Sequence, residues 1–207
     1  MRKGRIIRIN GSLVIAEGVP EAKIGDVVYL GDLKLIGEIA RIYGNKVAIQ
    51  CYEDTSGLRP GDEVINTGEP LVAELAPGLL GEIFDGLQFP ETKLWKLTGF
   101  FMKRGVRVDR IDRKKRWEFE PRVKSGDKVE AGDIIGVVPE TSAIEHRIMV
   151  SYNLRGTIKE IYEGKFTVTD TIAILKTPEG EERELKMLQT WPVRVPRPVK
   201  ARLPLSI

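Results

Sequence analysis

Two turn pairs, Asn10-Gly11 and Gly44-Asn45, dictate much of what the start of this chain can become. Each stands between two short β-prone runs: Arg5-Ile6-Ile7-Arg8-Ile9 and Ser12-Leu13-Val14-Ile15-Ala16 around the first, Leu35–Tyr43 and Lys46–Tyr52 around the second. Such pairs mark tight hairpins, because glycine and asparagine reach the positive φ that a two-residue turn needs. Gly25-Asp26 before Val27-Val28-Tyr29-Leu30, and Pro60-Gly61-Asp62 before Glu63-Val64-Ile65, are further turns that launch strands. About six strands within residues 1–75 predict a small closed β-barrel, a solution that removes unpaired edges.

From Pro70 the pattern changes. Apolar residues at i, i+3, i+4 and i+7 predict a short helix over Leu79–Leu87, and a poorer one is expected over Thr92–Phe101, with Leu94, Trp95, Leu97 and Phe101 as its apolar side. Lys103–Arg116 is charged and contains glycine, so it reads as a loop, and residues 76–112 read as a helical connector. A second β-rich block follows at 113–187. Its turns are Ser125-Gly126-Asp127 and Ala131-Gly132-Asp133, and Glu163-Gly164 and Pro178-Glu179-Gly180 are expected to close two more hairpins. Strands are expected near Lys128–Glu130, Ile134–Val138, His146–Ser151, Gly156–Tyr162, Lys165–Thr169 and Ala173–Lys176. Ile134, Ile135, Val137, Val138, Ile148, Val150, Ile158, Ile161, Phe166, Val168, Ile172 and Ile174 would supply an independent core. Residues 188–207 hold Pro192, Pro196, Pro198 and Pro204, and should be an extended lead-in. The fold class is mainly β, with few short helices.

Composition narrows the function classes. Of 207 residues, 42% are hydrophobic and 30% charged, which is globular and not disordered. No window approaches the roughly 18 uncharged apolar residues of a membrane span. The single Cys51 excludes a disulfide framework and a Cys-cluster zinc site, and the single His146 argues against a Ser/His/Asp triad or a His-rich metal site. Thirty-three Lys+Arg against 30 Asp+Glu leave a charge of only +3, a mixed surface that does not suit a dedicated nucleic-acid binder. High charge with little Cys, Asn and Gln also resembles a thermophile's composition. Neither a Gly-x-x-x-x-Gly-Lys-Ser/Thr run nor a Gly-x-Gly-x-x-Gly fingerprint occurs, so no phosphate-cradling loop is present. The expectation is a soluble intracellular scaffold, with no catalytic, cofactor-binding or metal residue assigned.

Four local features carry rival readings. Lys103-Arg104, Arg107, Arg110 and Arg113-Lys114-Lys115-Arg116 could follow a phosphate backbone, but Asp109 and Asp112 interrupt the run, and a solvated loop or a face for an acidic partner is favoured. A stand-alone barrel binding RNA or another polyanion is the alternative function; its barrel would offer only Tyr29, Tyr43 and Tyr52 for stacking. Trp117 and Phe119 alternate as strand residues do, which favours core packing. Glu53-Asp54-Thr55-Ser56-Gly57 could hold a divalent cation, although a turn capped by side-chain oxygens explains the same residues. His146 is expected to make a structural hydrogen bond, and Cys51 to be buried and inert.

Val123–Ile135, with Ile144–Met149 and Asn153–Ile161, resembles a biotinyl or lipoyl carrier domain, a flattened barrel-sandwich. Carriers attach the cofactor to a lysine at a hairpin tip; His146-Arg147 stands at the matching place and cannot form that amide. Carrier fold without carrier chemistry is therefore expected.

Taken in order, the segments are similar to the catalytic A subunit of archaeal-type and vacuolar-type rotary ATPases. The resemblance is carried by Gly4–Val14, Leu35–Ile39, Tyr52–Asp62 (YEDTSGLRPGD), Leu79–Gln88, Gly126–Thr141 with Ile144–Val150, and Trp191–Pro198. Phe89, where arginine is usual, and Ser151, where proline is common, depart from the pattern. The resemblance implies an N-terminal barrel in the crown of a hexamer that alternates with non-catalytic B subunits. It also implies a projecting insertion that meets peripheral-stalk subunits, and a central stalk in the full complex. It further implies ATP synthesis or hydrolysis coupled to proton or sodium transport, on the cytoplasmic side of the membrane in a peripheral complex. ATP or ADP and Mg would belong to the full-length protein, because the chain stops at Ile207, before the phosphate loop and the catalytic glutamate and arginine are expected. An N-terminal portion is the simpler reading than a natural short relative, and no nucleic acid is expected.

Overall fold

The computed structural model describes residues 2–99 and 103–196. The chain divides into two compact units: one runs to Val72 and includes Lys93–Val108, and the other comprises Ala73–Thr92 and the chain from Asp109.

In the first unit β1 (Arg2–Asn10), β2 (Leu13–Glu17), β3 (Asp26–Leu30), β4 (Leu35–Tyr43), β5 (Lys46–Cys51) and β6 (Glu63–Pro70) close into a barrel of order β1-β2-β5-β4-β3-β6. The barrel closes where β6 returns to β1, Asn66 opposite Arg2 and Glu63 opposite Arg5. The β4–β5 hairpin turns at Gly44-Asn45 as expected, with Tyr43 opposite Lys46. The β1–β2 turn falls one residue later than the sequence suggests, on Gly11-Ser12 between paired Asn10 and Leu13. In both, glycine takes the first central position at φ 57° or 58°, as a type II′ turn requires. The alternation then does the rest. Asp26, Val28 and Leu30 of β3 face in, and Ile6, Val14, Ile39, Ile49 and Val64 join Val28 and Leu30 in one apolar core. Each such side chain contributes about 1.5–3 kcal/mol when fully buried.

One turn design recurs in both units. Lys23–Asp26, Arg59–Asp62, Lys124–Asp127 and Glu130–Asp133 share the pattern x-x-Gly-Asp. In each, the Asp Oδ2 accepts the N–H of the residue three earlier, at 2.7 to 3.0 Å. The Asp N–H returns a bond to that residue's carbonyl, at 3.0 or 3.1 Å. The glycines lie at φ 92° to 97°, the position that a type II turn reserves for them. Three of these turns dock onto a buried residue in or next to a strand that both donates and accepts: Gly61 and Asp62 on Ile6, Gly126 and Asp127 on Ile158, Gly132 and Asp133 on Val150. Thr167–Asp170 closes in the same way without glycine.

After β7 (Val72–Leu75) comes α1 (Glu91–Thr98), then the strands of the second unit. These are β8 (Arg116–Pro121), β9 (Lys128–Val129), β10 (Ile134–Pro139), β11 (Glu145–Met149), β12 (Gly156–Ile161), β13 (Gly164–Thr167), β14 (Thr171–Lys176), β15 (Glu182–Lys186) and β16 (Gln189–Pro192). They form two four-stranded sheets, β11-β10-β8-β13 and β15-β14-β12-β9, while β16 pairs with β7. Trp117, Phe119, Ile135, Val138 and Ile148 from the first sheet share a core with Val129, Ile158, Ile172, Ala173 and Leu175 from the second. Gly136 is required by that packing: a Cβ there would lie 2.3 Å from the Phe119 ring.

Several expectations fail locally. Leu79–Leu87 is not helical, because Gly81 sits at φ 83° and Asp85 Oδ1 captures the Leu87 and Phe89 N–H groups at 2.9 and 2.7 Å. Glu163-Gly164 closes no hairpin, since β12 pairs with β14 and β13 with β8. Ile134 is 37% exposed and lies outside the core. The glutamates of β15 hide a strand from the sequence pattern, and Gln189–Pro192 is paired within what reads as an extended tail. The second helix forms at Glu91–Thr98, but it buries Leu94 and leaves Trp95 and Leu97 exposed; Phe101 lies outside the described residues. Residues 76–112 divide between the two units. Of the lead-in, Pro198 and Pro204 lie outside the described residues.

Candidate functional site

The polar chemistry of the first unit converges on Glu53. β5 ends at Cys51, the Tyr52 N–H bonds the Ile36 carbonyl at 2.9 Å, and the chain then turns Glu53 back over β4. Its Oε1 accepts the Ile36 N–H at 2.9 Å and Arg107 Nη2 at 3.1 Å, and its Oε2 accepts the Gly105 N–H at 2.8 Å. Arg107 Nη2 also donates to the Lys34 carbonyl at 2.7 Å, while Arg104 donates to the carbonyls of Ser56 and Asp54. Burial opposes the charged form of Glu53, but the Gly105 and Ile36 N–H groups and the Arg107 guanidinium outweigh it and hold the carboxyl below its ordinary value.

The neighbouring oxygens cap a turn. Asp54 Oδ1 accepts the Ser56 N–H and hydroxyl at 3.0 and 2.8 Å, and Thr55 Oγ1 donates to the Gly11 carbonyl at 2.7 Å. Among the described residues no group of three or more His, Cys, Asp or Glu is placed to hold a metal ion. Cys51 is buried, with Sγ 3.5 Å from the Ile36 carbonyl, and burial pushes its thiol up.

A second carboxylate organises the other unit. Glu140 follows β10, its side chain only 3% exposed; Oε1 accepts the Gly78 N–H at 2.6 Å and Oε2 lies 3.0 Å from His146 Nδ1. Glu140 carries no local sequence signal, because Gly78 is 62 residues away. His146 and Arg147 lie within β11, opposite Val138 and Val137, and not at a hairpin tip. The tip itself is Thr141-Ser142-Ala143, and no lysine stands between Pro139 and Val150.

Six side chains of the basic run make intramolecular contacts. Besides Arg104 and Arg107, Arg113 pairs with Glu74 at 2.6 Å, Arg110 lies 5.5 Å from the centre of the Phe89 ring, Lys115 lies 3.7 Å from that of Trp117, and Arg116 donates to the Lys165 carbonyl. Trp117 and Phe119 are core residues, 7% and 0% exposed, and offer no stacking platform. This arrangement does not support the polyanion-binding alternative. A groove of about 870 Å³ in the second unit is lined by Lys128, Arg155 and Lys176 together with Glu130 and Asp133, charges of both signs. Among the described residues these contacts are polar ties within each unit, and they assemble no set of catalytic groups.

Comparison with known proteins agrees with the two-unit architecture. Residues 6–68 match the beta-barrel domain of the ATP synthase alpha/beta family, and residues 108–194 match the ATP synthase alpha/beta subunit barrel-sandwich domain. The chain is 53% identical over all 207 residues to the V-type ATP synthase alpha chain of Thermoanaerobacter sp. (strain X514), spanning 35% of that protein. It is 55% identical over 206 residues to the A-type ATP synthase A subunit of Pyrococcus abyssi (strain GE5 / Orsay), spanning 20% of it, and 51% identical over 207 residues to that of Thermofilum pendens (strain DSM 2475 / Hrk 5), spanning 34%. With a closed barrel, a barrel-sandwich and identity sustained along its whole length, the chain belongs to the ATP synthase alpha/beta family and corresponds to the N-terminal portion of its V-type and A-type A subunits.

Proposed function

We propose that this chain is the assembly and stalk-docking portion of the catalytic A subunit of a rotary ATPase that couples ATP synthesis or hydrolysis to proton or sodium transport. The observation that carries the reading is the match of 53% over 207 residues to a relative of which the chain spans 35%. The barrel joins neighbouring barrels, those of non-catalytic B subunits, in the crown of an alternating ring. Such contacts are heterologous, since a ring closes by rotation. The barrel-sandwich meets peripheral-stalk subunits, and its charged exterior tunes the rate and specificity of docking more than its strength. ATP or ADP with Mg, and the central stalk, engage the remainder of the full-length protein. The complex is peripheral to the membrane, on its cytoplasmic side; among the described residues no helix is long and apolar enough to cross a bilayer.

The test is a chimera in which this chain replaces the matching region of a full-length relative, co-expressed with the other components of that complex. Assembly of the ring, cross-links from residues 1–70 to a neighbouring protomer, and Mg-ATP hydrolysis are expected. A chimera that folds but never enters the ring would overturn the proposal.

A further inference from the structure

The segment that follows α1 in the first unit is held against the barrel by side chains, with no strand pairing of its own. Residues 103–108 are fastened at three places: Arg104 on the Ser56 and Asp54 carbonyls, Gly105 on Glu53, and Arg107 on Glu53 and the Lys34 carbonyl. Glu53 is the common point, because one carboxylate grips both the β4 backbone at Ile36 and the segment at Gly105 and Arg107. The fit is close. Gly105 lies at φ 70°, and a Cβ there would come within 2.7 Å of the Leu33 carbonyl oxygen. Beside the segment is a cavity of about 410 Å³ whose walls include Leu33, Leu35, Leu58, Arg59 and Arg104.

We propose that residues 103–108 form a strap latched onto the barrel by Glu53, and that release of this latch frees the strap and opens the Arg104 wall of the cavity while the barrel stays folded. The latch is separable from the fold because the barrel closes through its own ladder and core, to which the strap contributes no strand and no core residue. A segment held by a few side-chain bonds opens locally, at a far lower free energy than the barrel strands. The chain leaves the first unit at Val108, directly after Arg107, so the latch also fixes the point of departure. The inference concerns this unit alone and does not rest on the proposed function.

The experiment is hydrogen–deuterium exchange on the full chain, comparing the parent with Glu53→Gln and Arg107→Gln. The latch predicts that peptides covering 103–108 exchange about tenfold faster in both variants, while β1, β2, β5 and β6 keep their protection. Unchanged exchange over 103–108 in both variants would overturn it, and so would acceleration spread evenly over the barrel. If Glu53→Gln does not fold, Arg107→Gln decides alone: faster exchange in the strap supports the latch, and unchanged exchange refutes it.

Discussion

His146 Nδ1 lies 3.0 Å from Glu140 Oε2, and the other oxygen of the same carboxylate accepts the Gly78 N–H at 2.6 Å. A side chain only 3% exposed thus ties the segment before α1 to the sheet that carries β10 and β11. Glu140→Ala removes a carboxylate acceptor from the half-buried Gly78 N–H, and should cost about 1.5–3 kcal/mol, the worth of a hydrogen bond to a charged group. His146→Ala removes a ring that is itself 24% exposed and leaves Glu140 bonded to the Gly78 N–H, and should cost less. Urea unfolding followed through the buried Trp117 measures both; equal midpoints for Glu140→Ala and the parent would refute the tie.

Two glycines should fail for different reasons. Gly61 lies at φ 97° with nothing within 4 Å of its would-be Cβ, so Gly61→Ala is a backbone penalty of about 1–2 kcal/mol. Gly136 has no such φ, but its Cβ would meet the Phe119 ring at 2.3 Å, so Gly136→Ala is an overpacking penalty of about 1–3 kcal/mol. Adding Phe119→Leu should recover part of the second loss. No neighbouring truncation should recover the first. A double-mutant cycle at each site separates the two, and rescue of Gly61→Ala by Leu58→Ala would contradict this account.

Glu53 gives the first unit an acid-sensitive element. Its carboxyl is held below its ordinary value of 4.5: burial pushes the other way, but the Gly105 and Ile36 N–H groups and the Arg107 guanidinium prevail. A depressed carboxyl stabilises the folded state fully above its unfolded value, and that contribution fades as pH falls through the folded value. Acidification below 4.5 should therefore unfasten Gly105 before the barrel core melts, while alkaline titration up to neutrality leaves it unchanged. An NMR titration of the Gly105 amide checks this; a midpoint above the ordinary glutamate value would reverse the sign.

The barrel is legible in the sequence because its signals are local. Gly11, Gly44 and the Gly-Asp turns act within four residues, and Leu13–Glu17 and Asp26–Leu30 alternate in burial. The same local reading predicts a helix at Leu79–Leu87, where Asp85 capping and Gly81 override the apolar spacing. The polar hubs are less accessible. Glu53 stands out in the sequence for its neighbours Asp54 and Ser56, yet its own partner Arg107 is 54 residues away. Arg104, Arg107 and Arg113 read as a solvated basic face, because nothing in their spacing reveals acceptors on another part of the chain.

The chain alone should neither hydrolyse ATP nor bind it tightly. Phosphoryl transfer needs a backbone cradle and a lysine at the β- and γ-phosphates, and no Gly-x-x-x-x-Gly-Lys-Ser/Thr run occurs among its 207 residues. Titration calorimetry with Mg-ATP should show no saturable heat. Stoichiometric micromolar binding would contradict this expectation.

The barrel-sandwich core reaches beyond residues 113–187. Ala76 and Ile111 are 0% and 1% exposed within it, and Leu79 and Leu188 pack against it. Arg113 pairs with Glu74 at 2.6 Å, Glu74 exchanges two backbone bonds with the Gln88 side chain at 2.6 and 2.7 Å, and β7 supplies the partner of β16. A fragment of residues 113–187 should therefore fold, since both four-stranded sheets lie inside it, but with lower stability than the same module in the full chain. Losing Ile111 alone forfeits about 1.5–3 kcal/mol of burial, and losing Glu74 leaves the half-buried Arg113 guanidinium without its acid. Extending the fragment to 109–196 and adding a peptide of residues 73–92 should restore the loss, read as a higher urea midpoint and a slower exchange of the Phe119 amide. A 113–187 fragment as stable as the intact module would show that these flanking residues merely rest on the core, and a fragment that is unfolded by NMR would show that they are needed to form it.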